Sequence, residues 1–249
     1  LQQEADEKRQ SRTLRQALDR QMAIDADLRR ELDLLNQLGE VRLAPPVWLA
    51  PKKSLSKHAA IPNLLLTDTH FDEVVHPEQF HFVNAYNRQI AELRLKAAFE
   101  KTIIYCRDWL SGFTYDGIVL WMGGDMFSGN IHDELKQTNV STLFDAVVHW
   151  IEHLEAGITL LAKEFGKVRI VAVPGNHGRQ TKRPIAKMMA QDNVDWLLYK
   201  LIARDFKNDA RVSFNIAEGA DAMETVYSTK FLLTHGNQFR GGSGISGAL

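Results

Sequence analysis

Cysteine is all but missing from this chain of 249 residues: Cys106 is the only one, and it falls in a helical pattern. A single thiol excludes an intrachain disulfide, and a reducing cytoplasm suits such a chain. No stretch approaches the ~18 consecutive apolar residues that suggest a membrane span. The N-terminus is rich in glutamine, arginine and glutamate, with no apolar segment of a secretory signal. An excess of charge is missing too. With 30 Lys and Arg against 31 Asp and Glu the net charge is −1, so no global basic field announces nucleic acid and any such site must be local. Internal repeats and low-complexity tracts are also absent. What is present is material for a core, with 45% apolar residues beside 24% charged. The start at Leu1 and the glycine-rich stretch 241–249 are those expected of a piece of a longer protein.

Residues 1–43 read as a helical extension, because Leu14, Leu18, Met22, Leu28, Leu32 and Leu35 recur at mostly helical steps. The stripe suits packing on the chain's own domain or a coiled-coil-like homo-oligomer contact, since it is narrow. A DNA-contacting arm is disfavoured, because acids nearly balance bases. Residues 44–60 hold Pro45, Pro46 and Pro51 with Lys52, Lys53, Lys57 and His58, a basic extended connector. From residue 61 to 249 strands and helices alternate, with helical patterns over roughly 80–110, 138–165 and 190–206. That is the grammar of an α/β domain with a mostly parallel sheet and helices outside it. Residues 211–216 and 223–228 alternate in polarity around Glu218-Gly219-Ala220-Asp221, which reads as a hairpin feeding a second sheet.

Four short apolar runs each end in residues that can hold a metal. Leu64-Leu65-Leu66-Thr67 leads into Asp68-Thr69-His70, and Gly117-Ile118-Val119-Leu120-Trp121 into Gly123-Gly124-Asp125. The run 168–173 leads into Gly175-Asn176-His177, and Phe231-Leu232-Leu233-Thr234 into His235-Gly236. Such runs read as buried strands, and ligands of open α/β sheets collect beyond the carboxyl ends of their strands. One carboxylate can bridge two cations about 3.5–4 Å apart, and Asp125 at its glycine corner is placed to do so. Oxygen and nitrogen donors without thiolate suit Mn, Mg, Fe or Zn rather than a sulfur-rich structural zinc site. Each motif alone is weak, and a buried, satisfied histidine explains many His-Gly pairs. Their joint order at strand ends is the specific signal, and it outlines a two-metal hydrolytic site.

The ordered set Asp68-x-His70, Gly124-Asp125, Gly175-Asn176-His177 and His235-Gly236 resembles the calcineurin-like metallophosphoesterase superfamily over residues 61–249. Gly124-Asp125-Met126-Phe127-Ser128-Gly129-Asn130-Ile131-His132 and Val173-Pro174-Gly175-Asn176-His177-Gly178-Arg179 look like phage-type members related to the nuclease subunit of DNA-repair exonucleases. The resemblance implies a two-sheet β core flanked by helices, and two divalent ions with manganese foremost. It implies that Asp68 and His70 hold one ion, that Asp125 bridges, and that Asn176 and His235 hold the other. His177 would stand beside the scissile phosphate as donor or charge stabiliser. A phage or bacterial host cytoplasm follows from the same likeness. Three departures stand out. The family's closing Gly-His-x-His motif is missing, with histidines 58, 76, 81, 149 and 153 in the wrong places, so it is expected beyond Leu249. Gly178 replaces the acid after Gly-Asn-His, so another group must orient His177. Ser128 stands where Asp or His is usual.

The implied reaction is phosphodiester hydrolysis, with water ionised between two cations as nucleophile. His132, seven residues past Asp125, is a candidate phosphate contact or a solvated loop residue. Arg179, Lys182, Arg183 and Lys187 lie within nine residues of one another beside the metal ligands, which suits a polyanion backbone such as DNA or an ordinary solvated loop. No aromatic series for stacking single strands accompanies them, and Trp196 and Tyr199 read as core. Two other functions stay open: a small-molecule phosphodiesterase or phosphatase, and a scaffold with an incomplete metal site.

Overall fold

Ile118-Val119-Leu120-Trp121-Met122 is apolar at every position, which suits a strand covered on both faces. In the computed structural model all five residues are buried, and they form an inner strand of a four-stranded parallel sheet. The structure describes residues 48–49, 58–131, 133–185 and 187–239, with Arg15, Gln21, Met22, Ala26 and Arg29. The chain divides into two units, Leu1–Ala44 and Pro45–Leu249. In the first, the five described positions are helical and exposed; the apolar stripe read there otherwise lies outside the described residues.

In the second unit the order is β1 (Ala59–Ala60), β2 (Asn63–Leu66), α1 (Arg88–Ile104), β3 (Thr114–Tyr115), β4 (Ile118–Met122), α2 (Asp133–Thr138) and α3 (Leu143–Phe165). β5 (Val168–Ala172), α4 (Val194–Asp205), β6 (Val212–Ile216), β7 (Asp221–Val226) and β8 (Thr229–Thr234) follow. The main sheet runs β2-β4-β5-β6 with every neighbour parallel, so the fold is mixed α/β. β1 and β3 form a short parallel pair, and β7 and β8 an antiparallel hairpin. Among the described residues no helix is long and apolar enough to cross a membrane.

Side chains alternate across a strand, and β4 and β5 use both faces. Ile118, Leu120, Met122, Ile170 and Ala172 pack with Leu95 and Phe99 of α1, Trp150 and Leu154 of α3, and Leu198 and Tyr199 of α4. Val119, Trp121, Val171 and Val173 pack instead with Ala222, Val226 and Leu233 of the hairpin. Helices therefore cover one face and the hairpin the other. Within the stretch read as a connector, Leu49 is fully buried in this second core, and its carbonyl accepts the Tyr227 N–H at 2.6 Å.

The helices begin where short polar side chains cap them. Asn87 accepts from the Ile90 N–H, Thr142 from Asp145 and Asn193 from Asp195. The pattern read from residue 80 becomes helix only at Arg88. His81 and Phe82 take φ of 51° and 60°, and Val75 bridges to Tyr86 instead.

The expected hairpin between 211–216 and 223–228 is corrected. Val212–Ile216 is the edge strand of the parallel sheet, and its alternation reflects half-exposure rather than a hairpin partner. The hairpin is β7–β8, turning at Tyr227 and Ser228 with Tyr227 at φ 53°. That turn carries neither Gly nor Asn, which removes the usual signal. The run ending at His235 thus belongs to the hairpin and not to the parallel sheet.

Candidate metal centre

Beyond β2 and β4 the chain keeps pairing without remaining a strand. The Asp68 N–H donates to the Gly124 carbonyl at 3.0 Å, His70 to Asp125 at 3.1 Å and Phe71 to Met126 at 2.8 Å. Ser128 donates back to Phe71 at 3.1 Å. Within this zipper Asp68, His70 and Asp125 take φ of 51°, 43° and 49°. The left-handed region costs non-glycine residues roughly 1–2 kcal/mol each, and sites that hold such residues are often functional. The Tyr86 hydroxyl secures the corner by donating to the Thr69 carbonyl.

The β5 loop meets the β4 loop at two glycines. A Cβ on Gly124 (φ +91°) would lie 2.4 Å from the Gly175 nitrogen, and one on Gly175 would lie 2.1 Å from Asp125 Oδ1. Only backbone fits there. Asp125 is consequently 3% exposed, with Oδ1 accepting the His177 N–H at 2.7 Å and Oδ2 3.2 Å from His235 Nε2. His235 Nδ1 donates to the Gly123 carbonyl at 2.9 Å, and its Nε2 is 3.1 Å from Asn176 Oδ1. Such a carbonyl partner fixes the ring so that Nε2 faces the centre.

Burial opposes charge on His235, but the hydrogen bond and field of Asp125, aided by the Gly123 carbonyl and Asp68, hold its pKa up to about 9. Burial likewise opposes ionisation of Asp125, yet His235 and the His177 N–H hold its carboxyl below the usual range.

Two donor sets share Asp125: Asp68, Asp125 and His235, and His70, Asp125 and His177. In each, one ligand atom per residue lies within 4.8 Å of the others. The structure therefore brings together Asp68, His70, Asp125, Asn176, His177 and His235. Their grouping differs from the expected one, because Asp68 falls in with His235, and His177 joins His70 rather than standing apart. Carboxylate, imidazole and amide oxygen donors at these separations fit hard or borderline divalent cations.

His177 is oriented by Nδ1 at 2.8 Å from the Ser128 carbonyl and meets the His70 ring edge-on at 4.7 Å. Ser128 thus supplies the orienting group through its backbone. Its own hydroxyl is buried, with no hydrogen-bond partner among the described residues.

Sequence reasoning missed Asp195. Its fully buried carboxyl accepts the N–H groups of Asp125 (2.9 Å), Met126 (3.2 Å) and Gly175 (3.0 Å). Asn193 Nδ2 donates to the Gly175 carbonyl at 2.8 Å. The start of α4 thereby clamps both loops. Burial is the largest influence on Asp195 and carries its pKa to about 6; the N–H donors pull down and the Asp125 charge pushes up. Asn193-Val194-Asp195 before an apolar helix reads as a local cap, and nothing in that pattern reports partners 70 residues away.

Asp72 was missed as well. It is 2% exposed and accepts from Arg88, Ser141 and Trp150, with Trp150 stacked on Phe71 at 3.8 Å. Burial works against ionisation of Asp72, and those hydrogen bonds hold its pKa below the ordinary value.

The substrate residues divide. His132 lies outside the described residues. Arg179 braces its own loop, donating to the Thr181 carbonyl at 2.9 Å and the Lys182 carbonyl at 3.2 Å. With Asn176 and Pro184 it lines a pocket of about 30 Å³. Lys182, Arg183 and Lys187 are exposed on that loop. Comparison with protein-family models, with curated proteins and with solved structures finds no match.

Proposed function

We propose that this chain is a two-metal-dependent phosphodiester hydrolase of the calcineurin-like metallophosphoesterase type, acting on DNA as a nuclease. The observation that carries the reading is Asp125, a buried carboxylate shared by two donor sets, each with a further pair of ligand-type residues. When bound, two divalent cations, manganese first and Mg, Fe or Zn as alternatives, supply positive charge for phosphate oxygens and acidify water. The protein's part is to hold the donors. His235 and Asn176 present a nitrogen and an oxygen beside Asp125, and the Ser128 carbonyl fixes the His177 ring next to His70. His177 would either hold an ion with His70 through Nε2 or, with Nε2 left uncoordinated, donate a proton to or stabilise the departing oxygen, a contribution of roughly 10²–10⁴ in rate.

DNA as the polymer rests on the motif resemblance and on Lys182, Arg183 and Lys187, exposed on the loop that follows His177. Arg179 favours the second reading, a small-molecule phosphodiesterase, because its guanidinium is engaged with its own loop.

The test compares linear duplex DNA with bis(p-nitrophenyl) phosphate in Mn²⁺. Asp125→Ala should abolish cleavage of both; unchanged turnover in the folded variant sinks the metal reading. Lys182→Ala with Arg183→Ala should weaken DNA binding and flatten its logarithmic salt slope by about one to two, sparing the small diester. Equal loss on both substrates would favour the small-molecule enzyme.

A further inference from the structure

On the helical face, away from Asp125, α1 and α3 approach closely. A Cβ on Gly157 would fall 2.2 Å from the Phe99 ring, so only glycine admits this crossing. One result is that Glu92 of α1 meets His149 and His153 of α3, which are four residues apart and so share a helix face. Glu92 Oε1 is 2.9 Å from His149 Nε2 and 3.8 Å from His153 Nε2. One ligand atom from each of the three residues lies within 4.8 Å of the others.

We propose that Glu92, His149 and His153 form a second divalent-metal site, of zinc type, that ties α1 to α3 and is separate from the Asp125 centre. Three observations converge. The donor set, two imidazoles and a carboxylate, is one that zinc takes with a fourth position left for water. The separations bracket the spacing of about 3.3 Å that tetrahedral bonds of 2.0–2.1 Å impose on neighbouring ligand atoms. His153 Nδ1 lies 3.0 Å from the His149 carbonyl, so it donates there and leaves the Nε2 lone pair directed to Glu92. That backbone partner is what imidazole ligands of metals ordinarily have.

The three side chains are 28–36% exposed, so an ion can enter without unfolding. Glu92 and His153 also line a groove of about 280 Å³ between the helices, which leaves room for water at the fourth position. Binding displaces the proton between His149 and Glu92 to solvent and replaces one hydrogen bond by three ligand bonds.

The experiment is zinc titration of the full chain by calorimetry, with stoichiometry as the readout. The wild-type chain should bind one more equivalent than the His149→Ala/His153→Ala variant. Asp125→Ala, which strips both sets of the other centre, should retain one equivalent. Glu92→Gln keeps a hydrogen-bonding side chain at that position and should weaken that equivalent by at least the roughly 10–100-fold that loss of an outer partner costs. Trp150 gives an independent signal, with its ring 5.1 Å from His149 and 5.4 Å from His153. Cu²⁺ should quench its fluorescence in Asp125→Ala, and the quench should disappear once His149 and His153 are removed. Equal zinc stoichiometry with and without the two histidines, or an unchanged quench, would overturn the site and leave an ion pair only.

Discussion

Asp195 accepts the backbone N–H of Asp125 at 2.9 Å across 70 residues of sequence, so one buried carboxylate holds the other in place. Asp195→Ala leaves three buried N–H groups without an acceptor, at about 1–3 kcal/mol each. The expected loss is several kcal/mol in urea unfolding. Asp195→Asn, which keeps one oxygen but turns an amide donor on the other N–H, should lose less. A change within about 0.5 kcal/mol for the alanine variant, the range of neutral surface substitutions, would remove Asp195 from this role.

Gly175→Ala should disable the centre without replacing any of its donor residues. Its methyl would overlap Asp125 Oδ1, so the β4 and β5 loops must separate. Mn²⁺ affinity by calorimetry should fall at least about 10-fold, the smaller of the costs seen when a ligand's support is lost. Gly219→Ala, whose methyl would meet nothing within 4 Å, is the control and should bind as wild type. Equal affinity in both variants would mean that the two loops are not held by this contact.

Glu224 is 1% exposed on β7 and lies 2.7 Å from Arg169 of β5, with Asn215 donating at 3.2 Å. Removing one member of a buried pair costs about 3–5 kcal/mol, because the other charge is stranded. Glu224→Leu should therefore destabilise strongly in denaturant melts, and Arg169→Met/Glu224→Leu should recover most of the loss. A double variant no more stable than Glu224→Leu would show that the pair does more than neutralise itself.

Burial pushes the Tyr86 phenol up to about 12, above its ordinary value near 10. The unfolded chain releases this proton first, so the stabilisation is complete below pH about 10 and is lost as pH rises through about 12. Tyr86→Phe also gives up the hydrogen bond to the Thr69 carbonyl, worth about 1 kcal/mol. The wild-type chain should thus be the more stable at neutral pH, with the gap closing in alkali. An unchanged gap near pH 11, between those two values, would count against a buried, bonded phenol.

The parallel strands were legible because burial on both faces forces apolar runs such as 118–122, and 168–173 with only Arg169 interrupting it. The meeting of Asp68, Asp125 and His235, and of His70, Asp125 and His177, was legible in part because each follows the end of a strand. Three things were not. Arg211 to Ile216 alternates because an edge strand is half wet, and this mimicked a hairpin. The Tyr227-Ser228 turn has no glycine or asparagine to announce it. Asp195 and Asp72 act through partners far off in sequence, and a single chain shows no pairing between distant positions. The move of Asp68 to the His235 set, and of His177 from outside both sets to the side of His70, has the same origin. Spacing places residues at strand ends but does not say which side chains meet across them.

The hairpin that brings His235 to Asp125 has a kinetic consequence. The donor-type residues are spread from residue 68 to residue 235, and the last of them is in place only when the β7–β8 hairpin is packed on the sheet. Loop closure over such spans comes late, since the entropy is spent before the distant contact can repay it. In refolding, the pairing of His235 with the Asp125 carboxylate would therefore trail the recovery of helix and sheet. The delay between the two signals would time the docking of a single hairpin.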